Sequence, residues 1–415
     1  MNARETLPTE PDAEAMTSWR HTIHRHPELG FNEFKTSILV ANLLDQWGYE
    51  VTTGLAVTGV VGTLRWGRHE DGMRLGLRAD MDALPIEEAT GLPWASAIAG
   101  QMHACGHDGH TAMLLGAAQV LAQAAAGGQL GGGGTAHLIF QPAEELGGGG
   151  GARRMIEEGL FERFPCDAIF AMHNYPGMPT GRFHFRSGPF MASSDKVLIR
   201  FHGKGGHGAM PHLAVDPTLP AAATVLALQG IVGRNIDPIK DTAVISVGRI
   251  VAGRMYNVIP ETAELELSVR ALDPAVRDQL QARILAVVEG HAAAHGARAE
   301  ISYERGYPVL VNSEAETRFA ADVARQRFGA TQVDADALPL AGSEDFAYML
   351  QQVPGCYLMI GNGDNGHDNG LRVGPCSVHN PHYDFNDQCL PLGAAYWVAL
   401  TERFFNNIHP RRKTP

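Results

Sequence analysis

Hydrophobic and polar positions along this chain fall into two regimes. In the first, short apolar runs of strand length alternate with longer segments of helical spacing. The pattern predicts helices over residues 13–25 and 35–47, strands over 51–53, 60–65 and 74–81, and a helix over 111–126; a strand over 136–140, a helix over 152–159 and a strand over 167–172 follow. Strands and helices alternating in this way belong to an α/β fold. The punctuation agrees: Pro27 and Gly30 stop the first helix, and Gly127, Gly128 and the glycine run at 131–134 stop the alanine-rich one. From about Phe190 the order changes to strand 195–203, helix 216–232, strands 243–251 and 262–271, helix 274–295 and strand 298–304. This β-α-β-β-α-β order is the split, ferredoxin-like arrangement, and it reads as a small domain inserted into the larger one. Helices over 314–328, 343–351 and 393–405, a strand over 356–360 and a Gly/Asn/Asp-rich loop at 361–370 resume the first regime. The expected division is residues 1–189 with 306–415 as one discontinuous domain, and 190–305 as the insert.

Composition narrows the class. A chain of 415 residues exceeds one ordinary core, and 45% hydrophobic with 19% charged residues describes a globular protein. Forty-five acidic against 33 basic residues give a net charge of −12, which argues against a nucleic-acid partner, whose surface requires a basic patch. The five cysteines, Cys105, Cys166, Cys356, Cys376 and Cys389, are odd in number and too scattered for a disulfide framework, so a reducing compartment is expected. Residues 1–15 lack a basic segment followed by an apolar run, and the most apolar helix, 111–126, is short and carries Gln119 and Gln123. No secretory signal and no membrane association are expected, and the cytoplasm is the expected location.

The chemistry gathers at strand ends. Three predicted strands run out into polar clusters: Asp80 with Asp82, Glu144 with Glu145, and His173. Catalytic groups of open α/β sheets collect at such carboxyl ends, although an Asp there is also an ordinary cap. Between the first two clusters lies M-H-A-C-G-H-D-G-H at 102–110. Cys105 and His107, one residue apart, can point to the same side and bind one cation or two adjacent ones. The plain alternative is a buried thiol beside surface histidines. The glycine run at 147–151 lacks the Gly-Lys-Ser/Thr ending of a phosphate cradle.

Eight motifs in order carry a resemblance over nearly the whole chain. They are R-A-D-M-D-A-L-P at 78–85, M-H-A-C-G-H-D-G-H at 102–110, Q-P-A-E-E at 141–145 and M-H-N at 172–174. After these come G-G-H-G-A-M-P-H at 205–212, N-V-I-P at 257–260, S-E-D-F at 343–346 and H-N-P-H-Y-D-F at 379–385. Together they resemble the hippurate hydrolase-type amidohydrolases of the aminoacylase and carboxypeptidase family of dinuclear metallohydrolases, with plant auxin-conjugate hydrolases as relatives. The resemblance implies a zinc-peptidase-like catalytic domain on a mixed sheet, with the insert as lid and dimerisation domain. It implies two divalent metal ions per subunit held by Cys105, His107, Glu145, His173 and His379, with Cys105 bridging. Zinc, manganese, cobalt and nickel all suit such donors. Where the broader family has His-x-Asp, this chain has Asp80-Met81-Asp82; His107 takes over, and Asp80 and Asp82 remain as supports that orient ligands. By the same resemblance Glu144 is the general base, His207 stabilises the oxyanion in the site of a partner subunit, and Asn257 binds substrate or the same oxyanion. Arg270 suits either a substrate carboxylate or a salt bridge on its strand. His103, His110, His212 and His382 flank these groups and are read as orienting or structural.

Chemistry supports the transfer independently, since paired cations activate water and polarise a carbonyl while a carboxylate that is not a ligand takes the proton. The expected activity is hydrolysis of the amide joining an acyl or aroyl group to an amino acid, a hippurate-like or N-acetyl small molecule, in a homodimer or homotetramer assembled through the insert. Two other readings stay open. In a thiol amidase Cys105 is the nucleophile and His107 its base, which leaves Glu145, His173 and His379 without a role. A non-catalytic metal- or ligand-binding homologue is the other, and the intact Glu144 speaks against it.

Overall fold

The computed structural model of the chain describes residues 11–70, 72–363 and 376–406, so most of the loop expected at 361–370 lies outside the described residues. The chain forms two compact units. The first takes in the chain up to Gly188, Asn312–Ala337 and the segment from Tyr348 onward; the second takes in Pro189–Val311 and Leu338–Ala347.

An eight-stranded mixed sheet is the frame of the first unit. Its strands lie in the order Glu50–Leu55, Gly59–Trp66, Gly134–Gln141, Met73–Asp80, Ala168–Tyr175, Gly355–Gly361, Phe183–His184 and Val333–Asp334. The four central strands, Gly134–Gln141 to Gly355–Gly361, run parallel, and an antiparallel hairpin closes the Glu50 edge. Every residue of Gly134–Gln141 and Gly355–Gly361 is buried, as parallel strands covered on both faces require. The helix His107–Ala126 is buried almost all round, and small residues let its neighbours come close. A Cβ on Gly116 would fall 2.2 Å from Met16 Sδ, and one on Gly393 would fall 2.0 Å from Met113 Sδ. Ala13–Arg25 and Cys389–Asn406 therefore pack tightly on it, and Asp12 caps the first of them through the Ala15 N–H.

Among the boundaries that differ from the sequence expectation, two matter at the strand ends. The long helix begins at His107 rather than 111, because Gly106 at φ +91° turns the chain directly into its first turn. Only glycine takes that conformation without strain. The strand Ala168–Tyr175 runs past its expected end at 172, so His173 and Asn174 are sheet residues paired with Met359 and Ile360. The two-residue strands Phe183–His184 and Val333–Asp334 are too short for a periodicity to reveal.

The second unit has a four-stranded antiparallel sheet in the order Ala243–Ala252, Thr262–Ala271, Asp195–His202 and Arg298–Arg305. Alternation on the Asp195 strand buries Val197, Ile199 and Phe201 against Leu228 and Ile231 of helix Thr218–Asn235 and Leu280, Ile284 and Val288 of helix Pro274–Ala294. The second helix starts cleanly, with Asp273 accepting from the Ala275 and Val276 N–H groups and Pro274 in the first turn. A separate two-residue ribbon pairs Gly206–His207 with Val258–Ile259. Strand and helix are joined by a buried ion pair in which Asp195 accepts from Arg277 Nε at 3.1 Å and from the Tyr303 hydroxyl at 2.9 Å. Removing one partner of such a pair strands the other's charge. We expect Asp195→Ala to lower the unit's stability by about 3–5 kcal/mol. Hydrogen exchange along Asp195–His202 in rising urea measures this, and protection unchanged from the parent would reduce the pair to packing.

Candidate metal centre and active site

The acidic turn that follows Gly134–Gln141 is bent by an unusual residue. Ala143 sits at φ 54°, ψ 46°, and Glu144–Leu146 then form a single 3-10 turn. A non-glycine residue in this region costs roughly 1–2 kcal/mol, so neighbours must hold the turn. One of them is Asp82, whose Oδ2 accepts the Glu145 N–H at 2.9 Å. The Cys105 loop is held from the opposite side by Asn174, whose Nδ2 donates to the Cys105 carbonyl at 2.7 Å while its Oδ1 accepts from the Tyr383 hydroxyl at 2.8 Å. A Cβ on Gly106 would fall 2.4 Å from Asn174 Nδ2 and 2.5 Å from Tyr383 Oη, so this junction admits only glycine. His379, at φ 65° and half exposed, is tied to the same loop by its N–H to the Ala104 carbonyl at 2.7 Å.

These supports bring five donors together. Donor atoms of Cys105, His107 and His173 lie within 4.8 Å of one another, and so do those of Cys105, Glu145 and His379. Cys105 belongs to both groups. Its Sγ is 3.4 Å from His173 Nε2, and His379 Nε2 is 3.1 Å from Glu145 Oε1. His173 Nδ1 lies 2.6 Å from the Asn174 carbonyl, which can only accept, so the ring carries its proton there and turns the Nε2 lone pair inward. His107 is set the same way: Nδ1 is 3.1 Å from Asp82 Oδ1, while Nε2 is buried without a hydrogen-bond partner, 3.7 Å from Asp80 Oδ2 and 4.0 Å from Glu145 Oε1. A carboxylate behind an imidazole whose far nitrogen is unsatisfied is the arrangement that orients a histidine toward a metal. A thiol, imidazoles and a carboxylate converging in this way fit two adjacent divalent ions.

Nearby groups are spent on other partners. His110 Nδ1 meets Asp80 Oδ1 at 2.6 Å and its Nε2 accepts the Asn174 N–H at 2.9 Å, so neither nitrogen is available and the ring is a brace. Asp80 also accepts from Arg78 Nη1 at 2.7 Å, and Asp82 divides its two oxygens between His107 and Glu145. Both aspartates thus support the donors. Sequence reasoning missed Tyr383 and the tying role of Asn174, since a tyrosine and an asparagine carry no chemistry of their own there. The one available signal was their place inside motifs otherwise rich in donors.

His207, Asn257 and Arg270 lie in the second unit. His207 is exposed on the short ribbon and Asn257 is exposed just before its second strand; His207 Nδ1 accepts the Ala209 N–H at 3.0 Å, which places the proton of the neutral ring on Nε2. Arg270 is partly buried and donates to Ser343 Oγ at 2.9 Å rather than to a carboxylate; burial pulls its pKa down, opposed by Asp195.

The surroundings of Cys105 and His107 favour a cation. Burial, with Glu145, Glu144 and Asp80 close by, pushes the Cys105 thiol well above its ordinary pKa. Burial alone would lower His107, but Asp80, Asp82 and Glu145 outweigh it and push the ring up to about 10. His173 is pushed well below the ordinary value by burial and by His110. A nucleophilic thiol needs electropositive surroundings and a neutral base, and Cys105 with His107 has neither. A divalent cation reverses both tendencies by stabilising thiolate and neutral imidazole. In the metal-free chain the charge on His107 contributes stability that is complete below the ordinary 6.5 and is lost as pH rises through about 10. We therefore expect zinc loading at about pH 8 to release protons to the buffer. Titration calorimetry in buffers of different ionisation enthalpy reads the release, and heats that do not vary with the buffer would contradict it.

Comparison with known proteins accords with this geometry. Residues 76–403 match the family described as Peptidase family M20/M25/M40. The chain is 41% identical to the hippurate hydrolase of Campylobacter jejuni over 93% of its own length and 95% of that protein. It is 40% identical to the N-acetyl-L-cysteine deacetylase of Bacillus subtilis over 91% of its own length and 85% of that protein. A solved Bacillus subtilis structure described as a dinuclear metal binding peptidase of the M20 family superposes with a TM-score of 0.79 at 34% identity, covering 95% of this chain and 99% of that one. The chain belongs to peptidase family M20/M25/M40, whose members are metal-dependent hydrolases.

Proposed function

We propose that this enzyme hydrolyses the amide bond of N-acyl or N-aroyl amino acids, hippurate-like or N-acetyl, with two divalent ions held by Cys105, His107, Glu145, His173 and His379. The convergence of those donors beside Glu144 carries this reading. When bound, the ions would polarise the scissile carbonyl and make a water acidic enough to attack it. Glu144, buried and next in sequence to the ligand Glu145, takes the proton of the attacking water. It then returns that proton to the amine as the C–N bond breaks, leaving an acid and a free amino acid. His207 of a second copy donates from Nε2 to the developing oxyanion, a role supported by its exposed ring and the proton placement above. Asn257, next to the ribbon with its carbonyl accepting the Gly208 N–H at 2.8 Å, binds substrate or the same oxyanion. Arg270, partly buried with a neutral hydroxyl as partner, is assigned to the substrate's α-carboxylate.

The second unit serves as lid and as the contact between copies. Ala243–Ala252 is an edge strand, and Ile250 and Val251 on it are 58% and 44% exposed, apolar surface of the kind an edge covers by pairing. A homodimer satisfies that edge, and two dimers would give a tetramer. The five cysteines are all free, which suits the cytoplasm, and among the described residues no helix is long and apolar enough to cross a membrane.

Stripping the protein with a chelator and restoring zinc or manganese is expected to abolish and then recover release of amino acid from hippurate and N-acetyl amino acids. Glu144→Gln should retain its metal and lose about 10³-fold in kcat. A Gln variant that keeps most of its turnover would remove Glu144 from the role, and hydrolysis surviving verified metal removal would return the case to Cys105.

A further inference from the structure

The segment between Pro27 and Glu33 takes no part in the chemistry above, yet it lies against the acidic turn. Its backbone is stitched to the strand end that carries Asp82: the Ala83 N–H donates to the Glu28 carbonyl at 2.8 Å, and Leu29 bridges Ala83. The Glu28 carboxylate caps the helix Phe34–Gln46 through the Lys35 and Thr36 N–H groups, at 2.9 and 3.0 Å. Gly30 lets the segment close on the turn, since a Cβ there would fall 2.9 Å from Leu146 and 3.0 Å from Ala143. At its end stands Glu33, with 0% of its surface exposed. A carboxylate is costly to bury unless its oxygens are used. Glu33 Oε1 accepts the Ala143 N–H at 2.8 Å, and Oε2 accepts the Thr58 hydroxyl at 2.5 Å.

We propose that Glu33 is a positioning residue that clamps the strained Ala143 and so aims Glu144 at the water and Glu145 at the metal. The turn is held at three points: Asp82 takes the Glu145 N–H, the Ala143 carbonyl accepts the Gly151 N–H at 2.9 Å, and Glu33 takes the Ala143 N–H, the only one of the three in which a side chain holds Ala143 itself. Ala143, in the left-handed region, would relax toward ordinary backbone without the Glu33 anchor on its N–H, swinging both carboxylates. Thr58 in turn holds Glu33, since a carboxylate fixed through one oxygen alone could rotate away. Glu33 touches neither substrate nor metal, and its influence runs through one backbone hydrogen bond.

This inference rests on the roles proposed for Glu144 and Glu145, and the test separates the two. Glu33→Gln keeps an acceptor for Ala143 and a donor for the Thr58 oxygen, whereas Glu33→Leu keeps the volume and loses both. With metal-saturated protein and hippurate as substrate, Glu33→Gln is expected to stay within about twofold of the parent kcat, and Glu33→Leu to lose about 10–100-fold with KM little changed, as a small misplacement of reacting groups does. Zinc affinity, measured by competition with a chromophoric chelator, is expected to fall about tenfold in Glu33→Leu and to hold in Glu33→Gln. A folded Leu variant with parent kcat and parent zinc affinity would overturn the proposal. So would a Gln variant as impaired as the Leu variant, because charge rather than position would then be at stake. If Glu33→Leu does not fold, the near-isosteric Thr58→Val replaces it, with an expected threefold to tenfold loss in kcat, in line with a looser misplacement; an unchanged kcat there counts against the clamp. If the parent itself releases no amino acid from any acyl amino acid, the proposed function fails, and the zinc affinities alone decide the role of Glu33.

Discussion

The Asp82 carboxylate is the constraint on which the rest of this site depends. One oxygen takes the Nδ1 proton of His107 and the other takes the backbone N–H of Glu145. A single buried group thereby fixes the ring orientation of one candidate metal donor and the backbone position of another, although the two arrive from a helix N-terminus and from the turn after a strand. Both oxygens are committed, so Asp82 cannot move to serve one partner without releasing the other. The hydrogen bonds around it, from Asp80 to His110 and from Asn174 to the Cys105 loop, extend the same logic across the ends of the parallel strands.

A second buried network fixes the outer half of the site. Arg20, fully buried, reaches Asp384 at 2.8 Å and Asp387 at 2.6 Å, and lies 3.5 Å from Asp108, next in sequence to His107. His24 meets Asp108 at 2.8 Å and is pushed up to about 9, where Asp108 and Glu88 outweigh the burial that would lower it. Buried ion pairs seldom exceed well-packed apolar groups in net stability. Their value here lies in placement: they join the first helix, the first turn of the long helix and the segment after His379. Phe385 completes the join, its ring so close to Gly109 that a Cβ there would fall 2.4 Å away.

Much of this was legible in the sequence because donors announce themselves. The paired acids, the Cys-x-His spacing and the histidine at a strand end are rare combinations, and the α/β alternation put them at one end of a sheet. The inserted β-α-β-β-α-β order was equally plain in the apolar periods. What stayed hidden was position. Gly106 moved the start of the long helix back to His107, and pairing with Gly355–Gly361 carried His173 into the strand; neither leaves a mark in local periodicity. Glu33 carries no mark in the sequence, because its partner Ala143 is 110 residues away and the contact is to backbone. Backbone acceptors of this kind are invisible in a sequence, since any residue but proline supplies the N–H.

The charge balance of the site explains why these supports are so numerous. Asp80, Asp82, Glu144 and Glu145 are set close together, facing one guanidinium, Arg78, and the imidazolium of His107. Burial and the carboxylates hold Cys105 as a thiol in the metal-free chain, so the surroundings are already too negative to admit another anion. Two divalent ions would turn that excess to use, deprotonating the thiol and taking the His107 lone pair. Donors that repel one another when empty do not stay aligned by themselves. The hydrogen bonds from the Glu145 N–H to Asp82 and from Asn174 to the Cys105 carbonyl fix the backbone beneath these groups, so that their mutual repulsion is resisted by the surrounding fold.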